Sequence, residues 1–153
     1  MTNKYMYFIA NWKMYGSISS INSLNKVIKF SKSKEINKGR LIYCPPYTLI
    51  GSFSKKFQNC QIGLGGQNCH ESETDGPFTG FVNARMLKNA GAQFVIIGHS
   101  ENREKGESDK LINLKIKSAI NSKLKVIFCI GETLSEKRKK KQNQFYQSKL
   151  KLD

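Results

Sequence analysis

Five short apolar runs, at 5–11, 41–44, 61–65, 94–97 and 125–130, alternate along the chain with stretches whose apolar residues recur every three or four positions. That alternation is the feature that most limits the fold. A run of β-branched and aromatic residues followed by a helical period reads as a βα unit, and βα units in series require a parallel sheet covered by helices. The helical stretches are carried by Ile18, Ile21, Leu24, Val27 and Ile28; by Leu49, Phe53 and Phe57; by Val82, Met86, Leu87 and Ala90, closed by Gly91; and by Ile112, Ile116, Ala119 and Ile120. Gly131-Glu132-Thr133-Leu134 predicts the start of another helix. No linker or composition break divides the series.

Two architectures fit five βα units, an open doubly wound sheet and part of a (β/α)8 barrel. The dinucleotide-binding version of the open sheet needs G-x-G-x-x-G after its first strand, and Asn11-Trp12-Lys13-Met14 stands there instead. In either architecture the C-terminal ends of the strands form the ligand-binding rim. The first run stops at Asn11 and Lys13, and the fourth at His99, Ser100 and Glu101. These residues, remote in sequence, are therefore expected at one mouth.

The formal net charge of +15 over 153 residues raises the question of a polyanion partner. Twenty-two of the 26 cations are lysines, and the four arginines (Arg40, Arg85, Arg103, Arg138) are scattered. Phosphate and base recognition recruits the bidentate fork of arginine, so this pattern argues for A+T-rich coding and against nucleic-acid binding. A basic, non-catalytic α/β module that binds nucleic acid or another polyanion stays as the alternative reading. Four scattered cysteines, without C-x-x-C, predict neither a disulfide framework nor a zinc site. No apolar run reaches the ~18 residues of a membrane span, and no signal-peptide pattern precedes the first strand. A cytoplasmic protein with no membrane partner is expected.

Five segments in register resemble the triosephosphate isomerase family. They are Phe8-Ile9-Ala10-Asn11-Trp12-Lys13-Met14, Gly66-Gln67-Asn68-Cys69, Gly76-Pro77-Phe78-Thr79-Gly80, Val95-Ile96-Ile97-Gly98-His99-Ser100-Glu101 and Cys129-Ile130-Gly131-Glu132. The resemblance runs from about residue 4 to about 138. It implies a (β/α)8 barrel, incomplete here at its first five βα units, and a cofactor-free isomerase of the triose phosphates dihydroxyacetone phosphate and glyceraldehyde 3-phosphate. It also implies roles. His99 would be the neutral electrophile that polarises the substrate carbonyl, and Lys13 the cation for phosphate and enediolate. Asn11 would bind substrate, with Glu101 supporting Lys13 and Ser100 supporting the same turn. In the family's homodimer, Thr79 would approach the partner subunit's site from a protruding loop, 67–80. Trp12, Cys129 and Glu132 are read as packing residues.

The chain also departs from the family. Phe81 stands where an acidic residue is usual and Asn102 where arginine is usual, so both halves of an expected cross-subunit ion pair are missing together. Losing both avoids stranding one buried charge, which costs ~3–5 kcal/mol. The segment between His99 and Glu107 is about one residue short. A complete barrel takes about 250 residues, and the family's general-base glutamate, lid loop and phosphate-gripping glycines belong to its later part. The expectation is a partial barrel domain at 1–138 and an unrelated tail at 139–153, with little activity for the chain alone.

The tail follows Lys137-Arg138-Lys139-Lys140-Lys141, which in an A+T-rich gene is a long adenine run where the frame slips easily. One back-translation of 142–153, read in a shifted frame, gives Thr-Lys-Ser-Val-Leu-Ser-Lys-Gln-Ile-Lys-Ile-Gly, an amphipathic helical pattern. The nucleotide sequence past Lys141, read in three frames, tests this. A continuation encoding further βα units supports a slip, and none in any frame refutes it.

Overall fold

The computed structural model describes residues 5–33, 36, 38–132 and 137. Its five strands are β1 (Met6–Asn11), β2 (Gly39–Cys44), β3 (Ile62–Gly66), β4 (Phe94–Ile97) and β5 (Lys125–Phe128). They lie in the order β1-β2-β3-β4-β5, and each neighbouring pair is parallel. This order decides between the two architectures. A doubly wound sheet reverses direction at a switch point, whereas these strands advance one place at a time, as the wall of a barrel does.

Both faces of the wall are apolar, as a parallel sheet requires. Leu41, Tyr43, Ile62, Leu64, Val95, Ile97, Val126 and Phe128 face outward and join one core with the helices. Ile42, Cys44, Phe94, Ile96, Ile127 and Cys129 form a second cluster on the inner face. β3 contributes glycines there. A Cβ at Gly63 would lie 2.7 Å from the Phe94 ring, and one at Gly65 would lie 2.7 Å from the Cys44 sulfur.

The helices are α1 (Asn25–Ser31), α2 (Ile50–Phe57), α3 (Ala84–Asn89), α4 (Ser100–Glu104) and α5 (Asp109–Asn121). In α2, Phe53 and Phe57 pack edge-on, and Trp12 meets Phe53 at 5.1 Å between ring centroids, so Trp12 does pack on the core. α3 starts where the Asn83 side chain accepts from the Met86 N–H at 2.8 Å. It ends at Gly91 (φ +101°), with Ala92 N–H bonded to Leu87 C=O and Gly91 N–H to Lys88 C=O. That is the αL stop expected of a glycine just past a helix.

Two elements differ from the sequence reading. The single helix expected over 18–28 is divided into a 3₁₀ segment, Ile18–Leu24, and α1, and Ile18 is exposed. Its serines explain the change, because they bond locally to the chain: Ser23 donates to Ser20 C=O at 2.6 Å, and Ser17 N–H donates to the Ser20 hydroxyl at 3.0 Å. The short helix α4 was not foreseen, since five residues carry no apolar period. Most of the helix expected from Gly131, and the tail at 139–153, lie outside the described residues.

β1 forms one edge of the sheet, and Met6, Tyr7, Phe8 and Ile9 are 42–62% exposed. Met6 and Phe8 continue into an apolar groove with Phe30 and Leu41. An exposed apolar edge is a template for pairing with other chains. The isolated chain is expected to self-associate, its sedimentation coefficient rising with concentration. A sharp two-state melt of a monomer at low micromolar concentration would contradict this.

Candidate active site

The strand ladder sets the site. Asn11 closes β1, Cys44 closes β2, Gln67 follows β3, His99 follows β4 and Cys129 follows β5, so all five positions stand on one rim. A cleft of about 300 Å3 opens there, lined by Asn11, Lys13, Tyr47, Gln67, His99 and Glu101 among others. A larger hollow of about 780 Å3, lined by Lys32, Arg40 and Asn59 among others, lies by the starts of β2 and β3. Among its described lining residues there is no acid–base pair, and the smaller cleft is the candidate site.

Lys13 reaches the cleft through a strained backbone. Its φ of +53° is unusual for a residue with a side chain, and neighbouring side chains hold it there. Asn11 Oδ1 accepts from the Lys13 N–H at 2.9 Å, and Gln67 Nε2 donates to the Lys13 carbonyl at 2.8 Å. The same Gln67 amide donates to the Cys44 carbonyl at 2.8 Å. Gln67 therefore ties the ends of three strands together. The Lys13 ammonium then meets Glu101 Oε1 at 2.9 Å. This hydrogen bond raises the Lys13 pKa and lowers that of Glu101.

His99 caps α4, and its Nδ1 accepts from the Glu101 N–H at 3.3 Å. Glu101 Oε2 also lies 3.5 Å from Nδ1. That contact is at the edge of hydrogen-bond range, and the carboxylate is already engaged by Lys13. The backbone N–H is thus the partner that orients the ring, through Nδ1. Ser100, exposed, opens α4 beside it, and Asn102 also lines the cleft.

Further cross-links were missed by sequence reasoning. Glu107 Oε1 accepts from Lys115 Nζ and from Asn68 Nδ2 at 2.7 Å, and Lys115 also reaches Asn68 Oδ1 at 3.3 Å. Both charged side chains are about nine-tenths buried. Breaking such a pair from one side costs ~3–5 kcal/mol. The available signal was Lys115 itself, set between Ile112, Ile116 and Ala119 on the apolar face of α5. Arg103, read from sequence only as a scattered cation, bonds to Gly98 C=O at 2.8 Å and to Asp109 at 2.7 Å.

The loop at 67–83 is closed by its own backbone and side chains and by Arg85 of α3. His70 N–H bonds to Val82 C=O at 2.8 Å, Asp75 pairs with Arg85, and the His70 ring lies 4.4 Å from Phe78 and 4.9 Å from Phe81. Thr79 is exposed on this loop, and Phe81 is largely exposed. The buried thiols of Cys44 and Cys69 are pushed up to about 12 by burial, which disqualifies them as nucleophiles. Among the described residues no group of three His, Cys, Asp or Glu converges for a metal, and no helix is long and apolar enough to cross a membrane.

A family model described as triosephosphate isomerase matches residues 6–152. The triosephosphate isomerase of Carboxydothermus hydrogenoformans is 40% identical over 135 residues, covering 86% of this chain and 53% of that protein. The one from Bartonella quintana is 40% identical over 136 residues, covering 88% and 53%. The crystal structure of triosephosphate isomerase from Bartonella henselae superposes with a TM-score of 0.85 at 36% identity, covering 94% of this chain and 59% of that one. The chain thus spans about half the length of the curated relatives it matches.

The Lys13–Glu101 pair predicts a pH window. Because the Lys13 pKa is raised, its share of the pairing is intact below the ordinary lysine range and is lost as pH climbs through the raised value. Because the Glu101 pKa is lowered, its share is intact above the ordinary carboxylate range and is lost as pH falls through the lowered value. The pair is therefore constant across neutral pH. In Glu101→Gln the Lys13 titration, followed by NMR of the labelled side chain, should fall back toward ordinary lysine. Global stability should barely change, since both partners are half exposed.

Proposed function

Because the chain belongs to the triosephosphate isomerase family, we propose that its cleft is the electrophile-and-cation half of a site interconverting dihydroxyacetone phosphate and glyceraldehyde 3-phosphate. The observation that carries this is the convergence of His99, Lys13 and Asn11 on one rim, with the histidine ring oriented by a backbone N–H. His99 Nε2–H donates to the substrate carbonyl oxygen and stabilises the charge that develops on it. The Lys13 ammonium attracts the phosphate and the enediolate, and Glu101 holds it in place. Asn11 Nδ2 remains available for a substrate oxygen while Oδ1 holds the Lys13 backbone. The chemistry needs no cofactor, because one proton moves between adjacent carbons, another between the two oxygens they carry, and no electrons leave the substrate.

Proton abstraction requires a base beside the substrate carbon. Among the described residues the single carboxylate lining this cleft is Glu101, which is engaged with Lys13. The chain alone accordingly binds and polarises but does not turn substrate over. Its working state is a homodimer in which Thr79 of the loop at 67–83 reaches the partner's cleft, and its setting is the cytoplasm. The basic polyanion-binding module has no support in the family match or in the spread of the lysines.

A chimera tests the assignment. Residues 6–128 of this chain replace the matching segment of the Bartonella quintana enzyme, which supplies the rest of the barrel. The chimera is expected to isomerise glyceraldehyde 3-phosphate, and His99→Gln within it to lower kcat by about 10²–10³-fold, the usual loss for one oxyanion-stabilising donor. A folded chimera with no activity, or one indifferent to His99→Gln, refutes the reading.

A further inference from the structure

Arg103 belongs to α4, yet its guanidinium turns back onto the ends of two strands. Nε donates to the Gly98 carbonyl at 2.8 Å, Nη2 reaches the Cys129 carbonyl at 3.5 Å, and Nη1 pairs with Asp109 Oδ1 at 2.7 Å. The side chain is only 23% exposed. Gly98 has a φ of +77°, and a Cβ there would come within 3.0 Å of Arg103 Nη2 and 3.1 Å of the Cys129 carbonyl oxygen. The backbone therefore leaves β4 through a turn that suits glycine and closes directly on the guanidinium. The next residue is His99.

The direction of the imidazole depends on how the Gly98–His99 peptide leaves the strand, and Arg103 grips that carbonyl. We propose that Arg103 is the positioning residue for His99: by clamping the Gly98 and Cys129 carbonyls across the ends of β4 and β5, it fixes the ring in one direction and one tautomer at the cleft. Arginine suits this work because its planar fork serves several acceptors at once, whereas a lysine ammonium on a flexible stem does not hold that geometry. The inference rests on the reading of His99 as electrophile, but the clamp can fail while that reading stands.

The chain has two histidines, so selective labelling gives a simple spectrum. Magic-angle-spinning ¹⁵N spectra of the histidine-labelled full chain report each tautomer whatever the oligomeric state. His70, whose Nδ1 accepts from Ser72 N–H at 3.1 Å, is the internal reference. In the wild type His99 should show Nε2 protonated and Nδ1 bare. Arg103→Met should replace that single pair with a mixture of tautomers while His70 stays unchanged, and Arg103→Lys should do the same to a lesser degree. Asp109→Asn, which removes the charge partner but leaves both carbonyl bonds, should match the wild type.

A wild-type His99 already in two tautomers would overturn the clamp and the electrophile reading together. A single tautomer in the wild type that persists in both Arg103 variants overturns the clamp alone. Loss of order at His70 and His99 together in both variants also overturns it, because Arg103 would then be holding the fold and not the ring. So does an Asp109→Asn variant that shifts His99 as far as Arg103→Met.

Discussion

Parallel hydrogen bonding between consecutive strands is the constraint on which the site depends. Each strand must return to the same starting side before the next can pair, so every C-terminal end falls on one rim. Asn11 and His99 stand 88 positions apart in the sequence, and this return path alone brings them onto one rim. Nothing in either residue's local surroundings would bring them together. Their meeting is a property of the ladder, and the side chains exploit a geometry that the backbone has already set.

The rim is also where the ladder runs out of partners. Carbonyls at strand ends must be satisfied by something other than the next strand. Here side chains take over: Gln67 serves the Lys13 carbonyl and joins the Trp12 N–H on that of Cys44, and Arg103 serves Gly98 and Cys129. These bonds solve a backbone problem and at the same time hold the two residues proposed for the chemistry, Lys13 in its left-handed conformation and His99 after its glycine turn. Structural satisfaction and functional orientation are the same contacts.

Much of this was legible beforehand. The five strands emerged from apolar runs because a parallel sheet buries both faces, and α2 and α5 emerged from apolar periods. Lys13, Asn11, His99 and Glu101 stood out because they end such runs. What could not be read were relations between distant residues. A glutamine after a strand looks like any polar loop residue until its amide is seen between two carbonyls. Lys115 was one more cation in a lysine-rich chain, although its place on the apolar face of α5 required a buried partner. The serines near residue 20 broke an apolar period that, counted alone, gave one continuous helix.

The inner face of β3 carries a longer consequence. Gly63 and Gly65 leave their volume to the Phe94 ring and the Cys44 sulfur on the neighbouring strands. The barrel wall thus conserves bulk across strands and not at single positions. Packing on this face is coupled: a side chain at 63 requires the ring at 94 to shift or shrink, and one at 65 requires the group at 44 to give way. Related chains should therefore exchange large and small residues between these strands in matched pairs, and a change at either member alone marks a lineage caught between two packings.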